Sequence, residues 1–377
     1  MKRKRWLRWG GTAIIGLLAV LGVWGYSLSP GVHFKPSNHP VLAVPKSSGY
    51  MGSWGMDFIR SQAVKITSLG VDFQGADLLG GDRKWPSSSD LEGADSLSSA
   101  SSTRPSDGGR TGEAMNDPAF NILILGVDAR AEESSRTDVI MLAHVDPGEK
   151  EVNILSIPRD TQIYLEGTGY TKINHVHFIG SKRNGNSGGT KASIQAVSDL
   201  LNVTINYYVK IDFSGFESII DAIGGVELDL PSEVWLTQPL TPREPLLLPA
   251  GLQTLNGELA LDYVRERYSR EDGEFGRQEA QMEVIRSIAA KLTKLDYIPK
   301  LPGLIHQVKE EVLDTNFSDS DLLSLAWLFK NLQQDQLRYM QMPGHSNRAI
   351  DAIMGLQLYY WVPDKDQLYS ISENYFH

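Results

Sequence analysis

The chain has 377 residues, 41% of them hydrophobic and 22% charged, with a formal net charge of −10; this is ordinary globular composition, long enough for one large or two ordinary domains. Cysteine is absent, which excludes disulfides, thiolate metal sites, cysteine nucleophiles and a lipoprotein anchor. Any bound metal must be held by oxygen or histidine.

The first 11 residues form a basic head with Lys2, Arg3, Lys4, Arg5 and Arg8. An uncharged apolar run follows over 12–28, near the roughly 17-residue lower limit for a spanning helix. The positive-inside rule puts the head in the cytoplasm and the rest outside, with Trp6, Trp9, Trp24 and Tyr26 as interface anchors. No small-residue cleavage signal follows closely, so the segment reads as an uncleaved single-pass anchor in the cell membrane. Residues 29–118 show no strong period and become rich in Ser, Gly, Asp and Pro, which predicts a largely disordered tether with a reach of roughly 50 Å.

The folded unit is expected over 119–377. Apolar runs at Asn121 to Val127, Asp138 to Val145 and Val152 to Ile157 have strand length and end in turn residues. Helical spacing follows at Ala192 to Leu201 and Phe213 to Ile223, with short strands at Tyr207 to Ile211 and Val226 to Leu230. Gly257 to Val264 reads as a helix, then a longer one with Met282, Ile285, Ile288, Leu292 and Leu295 on one face. Further helices are expected near Leu304 to Val312 and at Asp319 to Phe329, and a late strand at Leu337 to Met342. The alternation predicts an α/β fold: a three-layer α/β/α domain around a mixed sheet.

Charge collects at the ends of these elements. Asp128 lies just beyond the first strand and Arg159 just beyond the third, where ligands gather in open α/β sheets. Arg136 and Asp138 open the second strand, and an antiparallel pairing with the first would bring them to the same edge. Arginine suits phosphate because its planar fork donates paired hydrogen bonds and stays charged; Lys172 could add a point charge. Arg265 and Arg267 share one side only if the chain is extended there. Arg277 and Gln278 open a long helix, whose N-terminal amides would reinforce a bound anion. Asp128 and Asp138 suit Mg²⁺ held jointly with pyrophosphate oxygens; the alternative is that each pairs with an arginine as a structural ion pair. His144, His175 and His177 lack metal spacing and read as core or hydrogen-bonding residues. "SGGTKAS" lacks the Gly-Lys-Ser/Thr core of a phosphate loop.

Taken in order from about Phe120 to Leu295, "NILILGVDAR", "SSRTDVIMLAHVDP", "VNILSIPRDT", "TKINHVHFIG", "NYYVKIDFSGFESIIDAIGGVELDLP", "GLQTLNGELALDYVRERY" and "DGEFGRQEAQMEVI" resemble the LytR-CpsA-Psr family of cell-wall enzymes. Each piece is weak alone; seven in order behind one anchor are specific. The resemblance implies a phosphotransferase that moves a glycopolymer from a polyprenyl pyrophosphate carrier to peptidoglycan through a phosphodiester. By that resemblance Arg130, Arg136, Arg159, Arg265, Arg267 and Arg277 bind pyrophosphate, Asp128 and Asp138 hold Mg²⁺, and Gln278 matches the glutamine after the last arginine. Arg136, Asp138, Arg159 and Arg277 are the expected catalytic set, with Asp138 or Asp160 as candidates to accept the hydroxyl proton. Many members carry a further arginine three residues after the position of Arg277, where this chain has Ala280, a departure that bears on phosphate binding. A hydrolase acting on the same pyrophosphate and a non-catalytic module retaining lipid-linked polymer are the alternatives. Nucleic acid is not an expected partner, since the chain shows no DNA-binding helix pair and the domain is placed outside the cell.

Overall fold

The computed structural model describes residues 27–35, 39–46, 119–128, 136–270, 272–292, 302–304, 306, 308, 314–330 and 336–377. Most of the expected anchor, the tether from 47 to 118, Arg130, Leu295 and most of the helix expected at Leu304 to Val312 lie outside these residues. No helix among the described residues is long and apolar enough to cross a membrane.

A mixed six-stranded sheet organises the fold. Its strands are β1 (Phe120–Val127), β2 (Thr137–Asp146), β3 (Glu151–Ser156), β6 (Tyr207–Asp212), β11 (Asp314–Thr315) and β12 (Leu337–Gln341), in the order β11-β6-β1-β2-β3-β12. β1 pairs antiparallel with β2 and parallel with β6, and β3 pairs antiparallel with β2 and parallel with β12. Period-2 alternation divides β1 between two faces. Phe120 and Ile122 join Met141, Ala143, Val145, Val152 and Ile154 in a core with Met282, Phe317, Leu325 and Leu328, so helices α5 (Glu274–Leu292) and α6 (Asp319–Lys330) cover that face. From the opposite face Asn121 and Asn153 donate to the carbonyls of Phe376 and Tyr375. These carbonyls lie at the C-terminal end of α7 (Lys365–Tyr375), and Ser372 Oγ donates to the Leu201 carbonyl at the end of α2 (His175–Leu201). Helices on both faces of a mixed sheet are what the alternation of elements predicts.

A second apolar cluster lies beside the sheet. It joins α3 (Phe213–Ala222), β7 (Val226–Leu230) with its partner β10 (Gly251–Leu255), α4 (Gly257–Arg265) and part of α5 through Ile220, Val226, Leu228, Leu255, Leu261, Tyr263 and Val284. Asp212 caps α3 by accepting from Gly215 N, and Asn256 caps α4 by accepting from Leu259 N. α4 crosses α3 so closely that a Cβ at Gly257 would collide with the Glu217 backbone. Gly257→Ala is therefore expected to cost about 3 kcal/mol, read as a lower denaturant midpoint at unchanged m-value.

Two departures from the sequence reading stand out. Residues 29–46, expected as tether, include a strap fastened to the domain, with the short helix α1 (Pro30–His33): Phe34 is 2% exposed and packs on Phe120 with ring centroids 4.5 Å apart, Ala43 bridges Ile205, and His33 Nε2 meets Asp321 at 2.8 Å. An aromatic anchor separated in sequence from its pocket carries no local signal. The helix expected at Ala192 begins at His175 instead, as α2, and breaks at Asn184 and Gly185. Its two halves touch through Gly180, Gly188 and Gly189, where a Cβ would clash. The glycines of "SGGTKAS" thus serve helix packing, and Thr190 accepts from buried Lys210 Nζ at 2.9 Å.

Candidate functional site

The β1–β2 ladder is antiparallel, and it continues past the strand ends through a hydrogen bond from Asp128 N to Arg136 O (3.1 Å). Asp128, Arg136 and Asp138 therefore share one sheet edge, with Arg136 exposed. β3 delivers its following residues to the same edge, where Arg159 Nη1 donates to Asp138 Oδ1 at 2.6 Å. Burial alone would lower the Arg159 pKa, but Asp138, Glu274 and Asp160 together outweigh it and the net shift is upward.

Lys172 arrives on a hairpin that the sequence did not reveal, β4 (Gln162–Leu165) with β5 (Gly169–Lys172). Its Nζ donates to Asp160 Oδ1 at 2.6 Å. Hydrogen bonds from Ile173 N to Thr161 O and from Asn174 N to Arg159 O fix the end of this hairpin against the Arg159 segment. Both candidate bases, Asp138 and Asp160, are thereby held in close ion pairs.

α5 contributes Arg277, 4% exposed, whose Nη2 donates to Glu274 Oε1 at 2.5 Å and to the Asp138 carbonyl at 3.2 Å. The Arg277 amide is bonded to Gly273 O, so its side chain, rather than its backbone N–H, is what it offers an anion. Glu274 was missed in the sequence; its signal is an acid three residues before the arginine in the first turn of a helix. Gln278 is 2% exposed with both amide atoms unbonded, and Arg159 Nε and Arg277 Nε are likewise buried without hydrogen bonds. Buried donors in this state are costly, and a polar ligand would satisfy them. Ala280 is fully buried in the second apolar cluster.

α4 ends at Arg265, and Glu266 is extended, the geometry that lets Arg265 and Arg267 share a side. Glu266 is 4% exposed between two half-buried arginines. The arginines nevertheless have different neighbours. Arg265 lies 3.6 Å from Asp262 and over the Phe213 ring, whereas Arg267 donates to Tyr268 OH at 2.6 Å. Asp262, 3% exposed, also binds Arg243 at 2.5 Å, a charge the sequence reading did not include.

The C-terminal hairpin, β13 (Gly344–Ile350) with β14 (Gln357–Pro363), also reaches this cluster. Trp361 N donates to Asp160 O, and its ring meets Phe275 edge-on at 4.9 Å. The Tyr359 phenol is pushed up by burial, then by Asp160 and Glu274.

The histidines behave as the sequence suggested. His144 bonds Asn121 at 3.0 Å in the core, His175 bonds Thr171 at 2.9 Å, and His177 is fully buried. Among the described residues no group of three or more His, Asp or Glu could hold a metal. Asp128 and Asp138 on adjacent strand ends supply two hard oxygen donors, which fits Mg²⁺ only when ligand phosphate oxygens complete its shell.

A model of the LytR_cpsA_psr family matches residues 87–376, well beyond the motifs that end near Leu295. The chain is 31% identical over 245 residues to the polyisoprenyl-teichoic acid–peptidoglycan teichoic acid transferase TagU of Bacillus cereus, covering 65% of this chain and 74% of that one. It is 28% identical over 260 residues to the TagV transferase of Bacillus subtilis, covering 67% and 63%. The crystal structure of B. subtilis TagV superposes with a TM-score of 0.57 at 25% identity, over 68% of this chain and 94% of that one. A structure of TagT with bound octaprenyl pyrophosphate lipid superposes at 0.51 and 25%, over 68% and 88%.

Proposed function

The chain belongs to the LytR-CpsA-Psr family, and we propose that it is a membrane-anchored phosphotransferase that moves a glycopolymer from a polyprenyl pyrophosphate carrier to peptidoglycan. The observation that carries this reading is the convergence of Arg159 and Arg277 on Asp138, one through its carboxylate and the other through its carbonyl. The buried Nε–H groups of Arg159 and Arg277 make no hydrogen bond, which leaves each guanidinium a donor for an anion with several oxygens.

A sugar hydroxyl of peptidoglycan gives its proton to the carboxylate of Asp138 or Asp160 and attacks the polymer-side phosphorus; the new P–O bond forms as the P–O–P bridge breaks, and polyprenyl monophosphate leaves. Arg159, Arg277 and Lys172 offset the charge that builds on the phosphoryl oxygens. Asp128 and Asp138 would hold Mg²⁺, which supplies Lewis-acid polarisation of the phosphates.

The uncharged run at 12–28 behind a basic head supports a single-pass anchor with the domain outside the cell. The strap around Phe34 would then seat the domain close to the membrane from its first residues.

The test is to incubate full-length protein with Mg²⁺, a synthetic polyprenyl-pyrophosphate glycan and soluble peptidoglycan fragments, and to read products by mass spectrometry. A phosphodiester conjugate with polyprenyl monophosphate is expected, lost on chelation and in Asp128→Ala. Released glycan phosphate without conjugate would instead identify a hydrolase, and unaltered bound lipid a binding module.

A further inference from the structure

Glu266 does more than separate two arginines. Its carboxylate accepts from Thr237 N (2.6 Å) and Thr237 Oγ1 (2.8 Å) through one oxygen, and from Tyr268 N (2.7 Å) and Ser269 N (3.1 Å) through the other. Burial would raise its pKa, but the bonds from Thr237, Ser269 and Tyr268 outweigh this and hold it below the ordinary carboxylate range. The charged clamp therefore persists at neutral pH and joins two segments. One is the end of β8 (Val234–Leu236), which pairs with β9 (Leu246–Leu248); the other is the turn that carries Arg267 and Tyr268. Ser269 Oγ adds a bond to the Trp235 carbonyl at 2.7 Å.

What the clamp presents is aromatic and open. Tyr268 is 60% exposed and Trp235 46% exposed. The Arg267 guanidinium lies over the Tyr268 ring, 4.6 Å from its centroid, and also donates to its hydroxyl. That hydrogen bond holds the phenol below its usual range, and the turn that carries the ring packs on the start of α5, where a Cβ at Gly276 would lie 3.2 Å from the Arg270 side chain, one residue before Arg277. Exposed rings are informative when rigidly mounted. With its hydroxyl already bonded to Arg267, the ring offers an apolar face suited to the CH face of a pyranose.

Resting on the reading of the arginine cluster as a pyrophosphate site, we propose that Tyr268, with Trp235 on the adjoining strand, forms the floor for the sugar residue next to the pyrophosphate. Tyr268 then distinguishes glycosylated from bare lipid, whereas the arginines bind both.

The experiment measures affinity of full-length protein for two probes, octaprenyl pyrophosphate and the same lipid carrying a disaccharide. Tyr268→Ala should weaken the glycosylated probe on the order of tenfold while leaving the bare lipid unchanged. Tyr268→Phe should keep wild-type affinity, and Trp235→Ala should lose a smaller factor for the glycosylated probe alone. Equal loss of both probes in Tyr268→Ala would overturn the proposal, because Tyr268 would then act only by holding Arg267; so would no loss of either. If the wild-type protein binds neither probe, the pyrophosphate reading itself fails and the sugar floor falls with it.

Discussion

Arg159→Ala should reduce transfer by about a thousandfold, the scale on which a preorganised charge donor acts in phosphoryl and acyl transfer. Arg159 is the central cation of the cluster: it bonds Asp138 at 2.6 Å and lies 3.9 Å from Asp160, and the charge of Glu274 also raises its pKa. Without it, three carboxylates face the site with less counter-charge, so an incoming pyrophosphate meets repulsion where it should meet a donor. The folding cost is smaller, about 1–2 kcal/mol, because both partners remain about a fifth exposed and solvent screens the pair. Arg159→Lys keeps the charge but loses the planar fork, and should recover only part of the rate. Initial rates of conjugate formation, with melting temperatures alongside, separate these outcomes. A variant that transfers at the wild-type rate would remove Arg159 from the mechanism.

This cluster was partly legible in the sequence for a simple physical reason. β1, β2 and β3 are near-continuous apolar runs, so their ends are visible, and the charges just beyond them fall on one edge once β1 and β2 run antiparallel. What stayed hidden depends on partners distant in the chain. Lys172 reads as a free cation until the β4–β5 hairpin brings it to Asp160, and Glu274 reads as a surface acid until α5 sets it beside Arg277. Glu266 looks like an ordinary charge between two arginines, although two of its four hydrogen bonds reach back to Thr237. The alternation within β13 and β14 is weak because the hairpin is largely solvent-facing, with Tyr360 fully buried. Ala280, the departure from the family pattern, is fully buried in the apolar cluster that also holds Val264 and Val284, a packing role that its sequence position did not show.

The C-terminal hairpin leads to the second large effect. Asp351 is fully buried and accepts from Tyr360 OH at 2.7 Å, Thr171 Oγ1 at 3.0 Å, and the amides of Ile353 and Met354 at 2.9 and 2.8 Å. Burial would raise its pKa, but these bonds overcome it and the net shift is downward. It therefore fastens the hairpin to β5, the strand that carries Lys172 to Asp160. Asp351→Ala leaves a buried phenol, a buried hydroxyl and two amides without an acceptor, and should cost about 3–5 kcal/mol. Asp351→Asn, which keeps one acceptor oxygen, should cost less. Transfer should fall in both, because the Lys172 strand loses its backing.

The same network predicts how stability follows pH. His175 lies 3.6 Å from Asp351, and its pKa is lowered: burial dominates, Asp351 and Asp160 oppose it, and Arg136 and Lys172 add to it. A histidine with a depressed folded pKa favours the native state fully above its unfolded value of about 6.5, and that contribution is lost as pH falls through the folded pKa. Asp351, also depressed, loses its contribution only in the more acidic range below about 3.9. The melting temperature should therefore fall between pH 7 and pH 5 in the wild type, and fall less in His175→Gln. Asp351→Asn removes the main group favouring the charged imidazole, so its acid loss should be steeper than that of the wild type. Identical slopes in all three proteins would mean that His175 does not titrate within this network.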